Sequence, residues 1–191
     1  MAAGVFLLSF AGCRYAMGAV KADQAREAWD EASAREAVAL GRSFAAHRER
    51  APIANGAPVA HLVIPRIGLD EIVLEGVDGD DLNGGPGHVP GTAFPGERGN
   101  AVVSAHRDRH FARFGELGAG DTIVTESGAR RDTWVVVSVR VVDKRAPAIF
   151  RAADATLTLT TCWPIRYVGS APERLIVTAR PIRASSRHRA H

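Results

Sequence analysis

Cys162, His106 and Arg174 have side-chain types and local settings that suit nucleophilic chemistry at a carbonyl. The stretch 155–164 reads A-T-L-T-L-T-T-C-W-P. Its alternation of threonine and leucine predicts a strand, and the proline predicts that the strand stops near Trp163. A thiol at the mouth of a strand, where a rigid element hands over to a loop, is well placed for a nucleophile. Taken alone it equally fits a small core residue, because free cysteine is among the most buried residue types. The stretch 99–108, G-N-A-V-V-S-A-H-R-D, is a second apolar strand that ends on His106. Imidazole is the side chain best suited to move a proton near neutral pH. Arg174 opens a third strand in P-E-R-L-I-V-T, after a G-S-A-P turn. Its permanently charged guanidinium can hold a developing oxyanion or grip a peptide carbonyl. On their own, a strand-end histidine and a strand-opening arginine are ordinary solvated residues. Strands finishing at one barrel rim would bring all three together.

The elements that must position them are short and numerous. Strands are expected at 59–64, 70–76, 100–105, 122–126, 133–142, 156–161 and 174–181. Helical turns are expected near 80–83 and 111–116, and a turn-rich segment at 84–92. Seven of the 19 glycines and three of the 10 prolines fall between Pro86 and Gly120, and this turn-rich stretch favours an all-β domain over a helical one. Seven or eight short strands without long intervening helices indicate an antiparallel barrel or sandwich. Among the other histidines, His61 falls within a strand, His88 in a turn and His110 near a helix start. His47, His188 and His191 lie in terminal regions.

Before this domain the composition changes twice. Residues 1–20 are apolar or small with Arg14 the one charge, and two readings compete: a cleaved leader ending near Cys13, or an uncleaved membrane anchor. The anchor is the expectation adopted, with the rest of the chain outside the cytoplasm. Residues 21–50 are alanine-rich with mixed charges, and Ala25, Trp29, Ala32, Val38 and Leu40 mark an apolar stripe, so a helical spacer is expected. A linker at 51–58 follows, then a domain over 59–182 and a basic tail over 183–191.

The hydrophobic content of 46% and charged content of 24% are those of an ordinary globular protein. The net charge of +3 comes from the C-terminal end, where Arg180, Arg183, Arg187 and Arg189 face no acid. No nucleic-acid motif is present, and no nucleic-acid partner is expected. Cys13 and Cys162 are expected to be unpaired. No CxxC or HExxH spacing occurs, and the one HxxxH spacing, His106 to His110, does not by itself make a ligand set, so neither metal nor cofactor is expected.

The segments T-L-T-T-C-W-P, G-N-x-V-x-S-A-H-R-D and A-P-E-R-L-I-V-T-A together resemble the sortases, the cysteine transpeptidases of bacterial surfaces. P-G-H-V-P-G-T-A at 86–93 and P-G-E-R-G-N at 95–100 are also similar to that family, with the class D group and its Gram-negative relatives nearest. The resemblance covers about 59–182. It implies an all-β, eight-stranded sortase-type barrel preceded by an N-terminal helix. It assigns Cys162 as nucleophile, His106 as general acid and base, and Arg174 as electrostatic stabiliser. It further implies an LPxTG-like sorting-signal peptide as substrate, a thioester intermediate, and a cell-wall precursor or protein lysine as the amine acceptor. Membrane attachment through the N-terminal segment belongs to the same expectation. The alternatives are a thiol peptidase that releases its product to water and a catalytically silent barrel that binds peptide or wall polymer. An L,D-transpeptidase is disfavoured because its His-Gly-Cys cluster is absent.

Overall fold

The computed structural model describes residues 2–40, 53–79, 81–128, 130–146 and 151–182, with side chains in the first helix from 16 to 35. The basic tail and Val38 and Leu40 of the expected stripe fall outside these side chains.

Eight strands close into a barrel in the order β1-β2-β3-β4-β7-β8-β6-β5. They are β1 (Pro58–Ile64), β2 (Leu69–Glu75), β3 (Gly87–His88), β4 (Asn100–Ser104), β5 (Thr122–Ser127), β6 (Arg130–Asp143), β7 (Thr156–Trp163) and β8 (Glu173–Pro181). Closure removes free sheet edges, which suits a domain made of many short strands. The barrel departs from the antiparallel expectation at two places: β2 pairs β3 parallel, and β4 pairs β7 parallel. The β5–β6 hairpin lies between β4 and β7 in sequence, and this long crossover lets the two strands run in the same direction.

The core follows from the alternation in the strands. Leu62, Ile64, Ile123, Leu157 and Leu159 are wholly buried, and Trp134 joins them with its indole N–H donating to Thr125 Oγ1 at 2.8 Å. Phe111 and Phe114, in the segment that follows β4, stack at 4.3 Å between ring centroids and join the buried core. The threonines of β7 differ from a half-exposed strand pattern, because Thr156, Thr158, Thr160 and Thr161 are also buried. Both faces of β7 are covered, and the hydroxyls of Thr158 and Thr161 are satisfied by Asn100 Oδ1 and the Ala105 carbonyl, each across from β7 on the β4 side. Strand β7 runs through Cys162 to Trp163, past the 156–161 span and up to the stop that Pro164 predicts.

The N-terminal segments that differ in composition form one helix, α1 (Ala2–Leu40). Ala25 is buried against Ile72 and Leu74 of β2, with Trp29 packed beside them. Arg26 donates to the Asp70 carbonyl and carboxylate at 2.8 and 2.9 Å. Ala32 is exposed, so the contact stripe is shorter than the pattern predicts. Gly18 is buried, because a Cβ there would lie 2.6 Å from the Asn83 carbonyl oxygen in α2 (Asp81–Gly84). Among the described residues, no helix is long and apolar enough to cross a membrane.

Candidate active site

The β4–β7 parallel pairing decides the geometry. Its register aligns Asn100 with Thr156 and Ser104 with Thr160, so both strands leave the sheet at the same rim. The Ala105 amide donates to the Thr160 carbonyl at 3.2 Å, and Thr161 Oγ1 donates to the Ala105 carbonyl at 2.7 Å. These bonds carry the pairing one step beyond β4 and deliver His106 beside Cys162. Strand β8 is antiparallel to β7, and Cys162 and Arg174 are direct register partners. Adjacent strand ends therefore hold the three residues that the sequence picks out.

All three line one cleft of about 540 Å³. Val77, Leu82, Val89 and Val102 supply apolar wall, and Lys144 adds a second cation beside Arg174. Cys162 is a free, exposed thiol, Arg174 is exposed and His106 is partly buried. The site therefore has a thiol open to solvent, an imidazole at the wall and cationic donors at the rim. Burial holds the His106 pKa below the ordinary histidine value, because the imidazolium loses hydration there. Asp108 and a hydrogen bond to the Gly79 backbone oppose that shift, whereas the charges of Arg109 and His110 reinforce it. The net shift favours the neutral form of the imidazole.

The loop that carries His106 is fastened on several sides. Arg107 Nη2 donates to the carbonyls of Tyr167 and Gly169, both at 2.9 Å, and Nη1 reaches the Pro164 carbonyl at 3.3 Å. Arg109 Nη1 donates to the Asn83 carbonyl of α2 at 2.6 Å. The Nδ1 of His110 lies 3.1 Å from a Glu71 carboxylate oxygen on β2. Sequence reasoning found the H-R-D segment but gave roles to His106 alone. The later residues act through partners 57 to 62 positions away in the case of Arg107, which no local pattern reveals. Lys144 was missed for the same reason: it enters the cleft from the end of β6, with its backbone N–H bonded to the Pro172 carbonyl at 3.1 Å.

The other histidines separate by environment. His61 on β1 lies between Asp70, at 2.8 Å, and Glu126, at 3.6 Å, on the outer surface. The His61 contact, then that of Arg26, holds the Asp70 carboxyl below its ordinary range. His88, expected in a turn, sits in β3 and is buried, because β3 is inserted between β2 and β4.

Residues 62–182 match the family model for the sortase domain. A curated relative, sortase D of Bacillus subtilis (strain 168), is 38% identical over 123 residues, which cover 63% of this chain and 62% of that relative. Among solved structures, the catalytic domain of Bacillus anthracis SrtD is 30% identical with a TM-score of 0.58, over 72% of this chain and 97% of that one. A sortase D5 transpeptidase of Clostridium perfringens shares the fold with a TM-score of 0.66 at 23% identity, over 85% of this chain and 96% of that one. The family match spans more than half of the chain and includes the three strand ends at the cleft, so the chain belongs to the sortase family.

Proposed function

We propose that the protein is a cysteine transpeptidase that cleaves an LPxTG-like sorting signal and transfers the acyl fragment to an amine. The observation that carries this reading is the register. Cys162 and Arg174 are direct partners, His106 leaves the parallel neighbour at the same level, and all three open on one cleft. In the first half-reaction the Cys162 sulfur bonds to a backbone carbonyl carbon of the peptide while its proton passes to His106. Arg174 stabilises the tetrahedral oxyanion. The C–N bond then breaks, His106 returns the proton to the departing amine, and a thioester is left on Cys162. In the second half an incoming amine loses a proton to His106, forms the new amide bond and releases the thiol. The family relationship supports the sorting-signal substrate, with a cell-wall precursor or a protein lysine as acceptor. Attachment to a membrane through the N-terminal segment, with the barrel outside the cytoplasm, is part of the same proposal.

Mass spectrometry of the full chain incubated with a library of LPxTG-like peptides tests it. The expected result is a covalent adduct on Cys162 that an added amine converts to a transfer product. Release of free acid alone, unchanged by amine, favours the thiol peptidase. Peptide binding without any adduct favours the silent barrel.

A further inference from the structure

We infer that Arg107 is a positioning residue that sets the relative placement of His106, Cys162 and Arg174 by clamping the loop between β7 and β8. This rests on the transpeptidase reading of the cleft. The loop begins one residue beyond Cys162, after Trp163, and ends one residue before Arg174, at Glu173, so it borders two of the three groups at the ends of their strands. Residues 166–170 are exposed, with Val168 almost wholly in solvent and Gly169 in the left-handed region at φ 92°. Apolar contacts hold only the ends of the loop, where Ile165 packs on the core and Ala171 is buried. The carbonyls of Pro164, Tyr167 and Gly169 converge on the guanidinium of Arg107, which also lies 5.7 Å from the Tyr167 ring centroid. Arg107 is the next residue after His106, so a planar fork on the histidine loop grips the cysteine–arginine loop at three points. A lysine there keeps the charge but its compact ammonium cannot span the same three acceptors.

The charges that move the His106 pKa are those of Asp108, Arg109 and His110. A positioning role for Arg107 therefore lowers the height of the pH–rate profile and leaves its acid midpoint in place. The test compares full-length wild type with Arg107→Ala, Arg107→Lys and, as control, Arg166→Ala in the same loop. Transfer from an LPxTG-type peptide to an added amine is measured against pH, and hydrogen–deuterium exchange over 163–172 is followed in parallel. Arg107→Ala is expected to lose about 10²-fold in kcat with a much smaller change in KM, the scale of a 1 Å misplacement. Exchange in the loop should rise, the acid midpoint should stay, and Arg107→Lys should recover only a minor part of the rate. Wild-type kcat in Arg107→Ala, full recovery in Arg107→Lys or a shifted acid midpoint would overturn the clamp. If the wild type makes no acyl-enzyme, the transpeptidase reading fails. The exchange comparison still decides the clamp, which is overturned by equal loop exchange in wild type and Arg107→Ala.

Discussion

His88 and His106 sit on neighbouring strands, one inside β3 and one just beyond β4, which pair antiparallel through Gly87 with Ser104 and His88 with Val103. Their surroundings differ. His88 is buried, its ring stacked 4.5 Å from that of Phe94, and both nitrogens are engaged. Nε2 donates to the Ala93 carbonyl at 3.0 Å, and Nδ1 lies within hydrogen-bond distance of the Glu75 carboxylate at 2.7 Å. Thr92 Oγ1 completes the set, at 3.0 Å from Nε2 while it donates to the Val89 carbonyl. Every donor and acceptor is used, so this imidazole holds the turn that follows β3 and has no free site for a substrate proton. His106 lines the cleft, and its burial favours the neutral form. A histidine transfers protons where its environment leaves a nitrogen facing the reactants, and it builds structure where both nitrogens are saturated.

Substitutions can separate the two regions. The largest effect is expected from Cys162→Ala, which removes the attacking atom at an exposed position. Acyl-enzyme should disappear from the mass spectrum with the melting midpoint unchanged, and retained transfer would sink the mechanism. His106→Ala should cost about 10²–10⁴-fold in kcat/KM without loss of fold. His88→Ala should do the reverse. Removing one member of a buried pair leaves Glu75 unpartnered, and destabilisation of about 3–5 kcal/mol is expected in urea titration. An equal loss of stability in both variants would erase the distinction drawn here.

Arg174→Lys keeps the charge but loses the fork, and a fall of roughly 10²-fold in kcat is expected, the size seen when one oxyanion donor is removed. Wild-type rates in that variant would place Arg174 outside the chemistry. The smallest effect concerns pH. Because the His106 pKa lies below the ordinary histidine value, its neutral form persists to lower pH, and the acid limb of kcat/KM should fall below 6.5. Asp108 raises that pKa, so Asp108→Asn removes a stabiliser of the imidazolium and should move the acid limb further down. Movement upward would contradict this account of His106.

The strand pattern was legible because alternation reports which residues share a face. The β1, β2, β4, β5, β6, β7 and β8 segments were all anticipated, and only the two-residue β3 was read as a turn. A strand so short carries no periodicity, and Gly87 and His88 pair only because Leu74 and Ser104 lie on either side. Helix α1 was anticipated in composition but not in continuity. Its packing also surprised: the buried positions include Gly18, which no hydrophobic pattern marks, because close approach of the Asn83 backbone requires the absence of a side chain.

What the sequence by itself determined is the chemical inventory and its local carriers: a thiol, an imidazole and a guanidinium, each at the end of a recognisable strand. Side-chain type and period-two alternation are local properties, so they survive without the fold. Only the tertiary structure decided that β4 runs parallel to β7 while β8 runs antiparallel to it, which places the three ends at one rim. It also decided that His88 is saturated while His106 faces the cleft, and that Arg107 reaches across to the β7–β8 loop. Those outcomes depend on contacts between residues tens of positions apart, where chain order carries no distance and only packing brings the groups together.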